Sequence, residues 1–203
     1  MTGDFLITKE LLKQYNPCTG GYRWFCERYP DGGKYQKILD ALCNDNRFCD
    51  ASWLLNKIGR TDDVLEVNEI DDTDKSICFA GSVIVKNNLI VKSINAGGSI
   101  EAGEYIEAGW SIEAGEYIEA GEFIKAGWSI KAGKFIKAGE FIKAGKFIKA
   151  GEFIKAGDDY GLYAGVCVRL SNMQNDGYIT AQFKPKNIMC GYWIDGEVSK
   201  NEN

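Results

Sequence analysis

At 203 residues the chain is long enough for one sizeable domain or two small ones, and 45% apolar content is enough to build a core. A net charge of −5 argues against direct nucleic-acid binding, which draws on a positive surplus. No apolar run reaches the ~18 residues of a membrane span, and the opening MTGDFLITKELL lacks a secretory pattern, so a cytoplasmic protein is expected.

The first segment, 1–59, reads as helical. Thr8 is placed to cap a short helix through Tyr15, with Glu10 in its first turn. Gly20 to Tyr29 carries Tyr22, Trp24, Phe25 and Tyr29 between charges, and Pro30-Asp31-Gly32-Gly33 is a turn. Over Lys34 to Cys43 the spacing of Tyr35, Ile38, Leu39 and Leu42 predicts an amphipathic helix. Asp50 is expected to cap a last helix, Ala51–Ile58, that stops at Gly59. The aromatics around Trp24 and Trp53 are read as the core of this small unit. Seven scattered Cys, with no CxxC pair and no His in the chain, predict free buried thiols and neither metal nor cofactor.

Residues 60–76, RTDDVLEVNEIDDTDKS, read as an acidic connector with a short strand at Val64 to Val67. Residues 77–157 are a repeat. Ile recurs every sixth residue from 94 to 154, with Ala two positions later in nearly every unit and Gly one further on. A Gly in every hexad would cost a helix about 1 kcal/mol each time. In a strand, Ile and Ala two apart share a face, and Gly is expected to permit the dihedrals of a corner. One hexad cannot bury its own Ile, so the units must coil and stack as a parallel β-solenoid. The number of sides follows from Trp110 and Trp128, and from Ser93, Ser111 and Ser129. Each recurs after three hexads, so one circuit is a triangle of 18 residues and the two Trp stack. In 158–203, Val166-Cys167-Val168, Tyr178-Ile179-Thr180 and Ile188 to Ile194 read as strands capping the solenoid, and VSKNEN reads as a frayed tail. The fold class is therefore α+β, a small helical domain followed by a triangular parallel β-helix.

Function is expected on the outward positions. Tyr105, Phe123 and Phe141 form one aromatic column, and Tyr117, Phe135 and Phe153 another, either exposed as an interface or packed on the helices. The charge splits along the repeat: Glu fills the outward positions up to Phe123, and Lys predominates from Ile124 onward. Either function keeps this split or duplication of units such as EAGEYI and KAGEFI explains it. Since these side chains point outward, the change is expected to have no bearing on the fold. The residues expected to meet a partner are Glu101, Glu107, Glu113, Glu119, Trp110, Trp128, Lys125, Lys131, Lys137, Lys143 and Lys149.

The repeat resembles two groups of β-solenoid. The hexapeptide acyltransferases share its period, but Ile124-Lys125-Ala126-Gly127-Trp128-Ser129 puts its small residue third and not fifth. FAGSVIVKNNLIVKSINAGGSI (79–100) is similar to the polymer-forming, bactofilin-like solenoids. The layout of a helical head beginning ITKELLKQY before IxAG hexads resembles small phage and prophage proteins. The acyltransferases use a His as general base, which this chain lacks, and imidazole-dependent nucleophilic catalysis is excluded for the same reason. The expectation is therefore a non-catalytic, homo-oligomeric binding protein. The phage-like layout implies a host protein or nucleoprotein as partner, a defence-system protein that the chain inhibits among them, with the acidic half as a nucleic-acid decoy. The alternative is a scaffold that stacks head to tail through acidic and basic ends.

Overall fold

The structure, a computed structural model, describes residues 5–196. It contains a helical head and a three-sided parallel β-solenoid. In the head, α1 (Lys9–Gln14) starts at Thr8, whose hydroxyl accepts from the Leu11 amide at 3.3 Å. Helices α2 (Thr19–Arg28), α3 (Tyr35–Asn44) and α4 (Phe48–Ile58) follow. Tyr35, Ile38, Leu39 and Leu42 are all buried, as the 3-4-3 spacing predicts. Helix α4 ends at Gly59, which takes φ +93°, a conformation that favours glycine. Its start differs from expectation. Phe48 packs on the head core and draws the helix back to Arg47, so Asp50 lies in the first turn and pairs with Arg47 at 2.5 Å.

The hexads form the predicted coil. Each Ile-x-Ala is a three-residue strand with Ile and Ala buried, and each pairs in parallel with the strand 18 residues away: Ile118 with Ile100 and Ile136, Ile124 with Ile106 and Ile142, Ile130 with Ile112 and Ile148. One circuit is thus three hexads. Face I carries the inward ladder Leu65, Val83, Ile100, Ile118, Ile136 and Ile154. Face II runs from Ile70 and Leu89 through Ile106, Ile124 and Ile142 to Leu162 and Ile188. Face III runs from Ile77 and Ile94 through Ile112, Ile130 and Ile148 to Ile179 and Trp193. Burial of each Ile is worth roughly 2 kcal/mol, so the ladder is the main source of the solenoid's stability.

Two boundaries move. Residues 60–76 are more than a connector, because Val64–Val67 and the start of Ile70–Phe79 already pair as rungs of the coil. The acids there mask the alternation: Leu65, Val67 and Ile70 pack on the core while Glu66 and Asp71 face out. At the other end, Val166-Cys167-Val168 is a turn and not a strand. Leu162 takes the place of Ile in the stack above Ile142, which leaves Val166 exposed on the following loop. Tyr178–Ala181, Ile188–Cys190 and Tyr192–Asp195 are strands that continue the coil as further rungs. The VSKNEN tail lies outside the described residues.

The repeat glycines are explained by contact and not by corner dihedrals. Among the described residues, glycines with positive φ are 32, 59, 165 and 191, none of them in a hexad. A Cβ on Gly121 would instead sit 2.0 Å from the carbonyl oxygen of Gly103, one circuit below, and one on Gly139 would sit 2.0 Å from that of Gly121. At these corners the coils stack too closely for a side chain; Gly109, where a Cβ would lie 3.6 Å from its nearest neighbour, is the exception in the hexads.

Candidate interaction surface

Outward positions of successive circuits form columns whose members are about 4.8 Å apart, the spacing of adjacent strands. Face I presents Glu101, Glu119, Lys137 and Lys155 in one column. Face II presents Glu107, Lys125 and Lys143, and face III presents Asn95, Glu113, Lys131 and Lys149. The eleven residues expected to meet a partner therefore do not converge on one patch: nine are spread over all three faces, and the two Trp occupy the corner between faces II and III.

The Glu-to-Lys change does bear on the fold. It falls so that one Glu and one Lys meet on every face: Lys125 donates to Glu107 at 2.7 Å, Lys137 to Glu119 at 2.5 Å, and Lys131 to Glu113. The junction is a ring of three ion pairs around the coil. Each is partly exposed, so each contributes roughly 0–1 kcal/mol, but the ring also removes like-charge contacts where the halves meet. A fourth pair at the corner between faces III and I links Lys134 to Glu116 at 2.8 Å, and Glu116 also accepts from Arg60 at 2.7 Å. The Lys134 and Arg60 contacts hold the Glu116 carboxyl below its ordinary pKa. Among the described residues, Lys143, Lys149 and Lys155 make no ion pair. Glu104 and Glu122, on the corner between faces I and II, likewise have none.

The aromatic columns face outward and stack. Tyr105–Phe123 and Phe123–Phe141 have ring centroids 4.6 and 4.9 Å apart on face II, and Tyr117–Phe135 and Phe135–Phe153 are 4.7 and 4.9 Å apart on face I. They pack on each other and not on the head, whose core includes none of them. Neighbouring rings leave each one half-buried. Tyr117 also donates to Glu101, which raises the phenol pKa.

The Trp corner is different. Trp110 and Trp128 stack at 5.1 Å yet remain 52% and 49% exposed. The Lys146 ammonium lies 4.6 Å from the Trp128 ring centroid, completing the stack from above. The sequence reading missed Lys146, although it lies 18 residues beyond Trp128, the same interval that identifies the Trp pair. Ser111 and Ser129 lie beside the corner with their hydroxyls 3.2 Å apart.

The head seals part of the N-terminal end. The Gln36 side chain donates to the Cys78 carbonyl at 3.0 Å and accepts from the Ala80 amide at 2.9 Å, so one amide takes the place of a further strand on face III. Cys78 and Asn95 are buried beneath the helices. All seven cysteines are free, but Cys18, Cys49 and Cys167 are exposed, contrary to the expected burial. Burial pushes the Cys43 thiol up to about 11 and the Cys78 thiol well above its ordinary range. Trp24 and Trp53 are core only in part. They rim an apolar cleft of about 270 Å³ whose floor includes Phe25, Ile38 and Leu54. No helix among the described residues is long and apolar enough to cross a membrane.

Comparison with known proteins is informative for the head alone. Residues 1–61 match the family model described as the YdhT N-terminal domain. No curated protein and no solved structure matches the chain.

Proposed function

We propose that this is a non-catalytic binding protein whose solenoid is a rigid ruler, presenting the Trp110–Trp128 corner and the unpaired lysines of the last coils to a macromolecular partner. The observation that supports this most is the Trp pair. The inward ladder needs no side chain at that corner, yet two large apolar rings are held there half in water, and such residues carry a large share of the energy at protein interfaces. Lys143 and Lys146 flank the same region of the coil without a carboxylate to neutralise them. The partner that fits is a protein or nucleoprotein with an apolar notch bordered by acids. The phage-like layout favours a host protein, one of a defence system included, that this chain inhibits.

The test is capture of a partner from lysate of the native host. The double variant Trp110→Ala/Trp128→Ala is expected to retain the circular dichroism of the wild type and lose at least tenfold in captured partner. Lys143→Glu with Lys149→Glu is expected to weaken capture in a salt-dependent way. Unchanged capture by the Trp variant would remove the corner as the site. Lys131 and Lys137 are poor choices for this experiment, because changing them breaks the junction pairs with Glu113 and Glu119.

A further inference from the structure

The two ends of the solenoid are finished differently. At the N-terminal end, Gln36 occupies the open edge of face III, and the remaining edge strands lie in an acidic run: residues 61–74 hold seven acids and no Lys or Arg. At the C-terminal end the strands Ile188–Cys190 and Tyr192–Asp195 close the sheet order, and among the described residues one side of each backbone has no strand partner. Asp195 is the one charged side chain on these two strands. Twelve large apolar side chains are well exposed among the described residues, and seven of them fall between 160 and 194. Leu170, Phe183, Met189, Tyr192 and Ile194 are 91, 62, 68, 49 and 44% exposed. Open edges of this kind are templates for pairing, and stable proteins cover them.

We infer that the C-terminal coil is a self-association surface, and that a second copy of the chain covers it, tail to tail, about a two-fold axis. Charge selects this arrangement. Residues 158–196 carry Asp158, Asp159, Asp176 and Asp195 against Arg169, Lys184 and Lys186, nearly neutral, so two such ends meet without strong repulsion. Two acidic N-terminal ends would repel. Head-to-tail stacking, which would continue the solenoid as a filament, meets the helical head on face III. The last seven residues of the chain, 197–203, offer one apolar side chain, Val198, and do not match a patch of aromatic and aliphatic groups. A two-fold axis across the coil sets the Tyr192–Asp195 strands of the two copies antiparallel, so that each edge satisfies the other's free amides and carbonyls. The contact is isologous and closed, which gives a dimer and no polymer.

Sedimentation equilibrium of the full chain is the test, from micromolar to hundred-micromolar concentration, in low and high salt. The expected mass is twice the 22.5 kDa of one chain, with little dependence on salt because the contact is apolar. Ile194→Lys and Phe183→Asp, each made separately, are expected to give monomers with unchanged circular dichroism; Met189→Lys is the substitute should either fail to fold. Val64→Lys, at the opposite end, is expected to leave the dimer intact. A monomer at every concentration overturns the proposal, as does a dimer that survives all three C-terminal variants. Polymers abolished by Val64→Lys would establish head-to-tail stacking instead. A full chain that is monomeric, but dimerises when ended at Gly196, would show that residues 197–203 cover the edge.

Discussion

At the scale of the residue, the hexad is a set of constraints of different origin. Ile and Ala are fixed because they face inward; this was legible, because alternation of faces is a property of any strand. Gly was legible as a fixed position but not in its cause. The sequence suggests a backbone conformation, whereas the structure shows a steric limit set by the coil below, which no single repeat reveals. The two causes make different predictions at two glycines in near-identical units. A Cβ on Gly127 would lie 2.0 Å from the Gly109 carbonyl oxygen, but one on Gly109 would lie 3.6 Å from its nearest neighbour, the Lys92 carbonyl oxygen. Gly127→Ala is therefore expected to cost roughly 1–3 kcal/mol by overpacking, and Gly109→Ala less than about 0.5 kcal/mol, as at sites without such features. Urea denaturation of the two variants decides the matter. Equal losses would return the explanation to backbone dihedrals.

At the scale of the element, the unit that matters is the circuit. Any hexad can take the place of any other as far as Ile and Ala are concerned. What distinguishes them is the outward column each joins, and those columns keep register only in steps of 18 residues. This explains why the junction ion pairs were missed while the Trp stack was found. Both follow from adding 18 to a residue number, yet the charges invite comparison of halves and the Trp residues invite counting. Deleting Ile118–Phe135 removes one circuit and returns every later residue to its own column. Deleting only Ile118–Phe123 turns the following chain by one side of the triangle, moving Trp128 to a different corner from Trp110 and setting the irregular C-terminal rungs on the wrong faces. The circuit deletion is expected to fold cooperatively with a slightly lower Tm. The hexad deletion is expected to lose several degrees more, because every rung after it is set on the wrong face. Equal Tm for the two deletions would mean that the columns and the C-terminal coil contribute nothing to register.

At the scale of the whole molecule, the joint between head and solenoid decides whether the chain unfolds as one unit. The helices and the hexads were each legible from their own periodicities, 3.6 and 2. The joint was not, because it depends on Gln36, an ordinary polar residue on the amphipathic helix α3, and on Arg60 meeting Glu116 across 56 positions of sequence. Gln36 satisfies a carbonyl and an amide that the solenoid leaves open at its first rung. Gln36→Leu would leave both without a partner, at about 1–3 kcal/mol for each buried group left unpaired. Cys43 and Cys78 lie on the two sides of this joint, and burial keeps both thiols protonated and inert. Their alkylation therefore measures opening of the joint, against Cys18, Cys49 and Cys167, which are exposed and react from the folded state. In Gln36→Leu the slow phase from Cys43 and Cys78 is expected to accelerate by at least tenfold while the fast phase stays the same. Acid acts on the same joint through Glu116. Its folded pKa lies below the ordinary carboxyl value near 4.5, so its contribution is complete above that pH and is lost as pH falls through the lowered folded value. Opening of the joint, followed by exchange of the amides in α3 and α4, is thus expected to rise below pH 4.5 in the wild type and to depend less on pH in Glu116→Gln. Slow-phase rates that match global unfolding in every variant would show that head and solenoid never separate, and that the joint is simply part of one core.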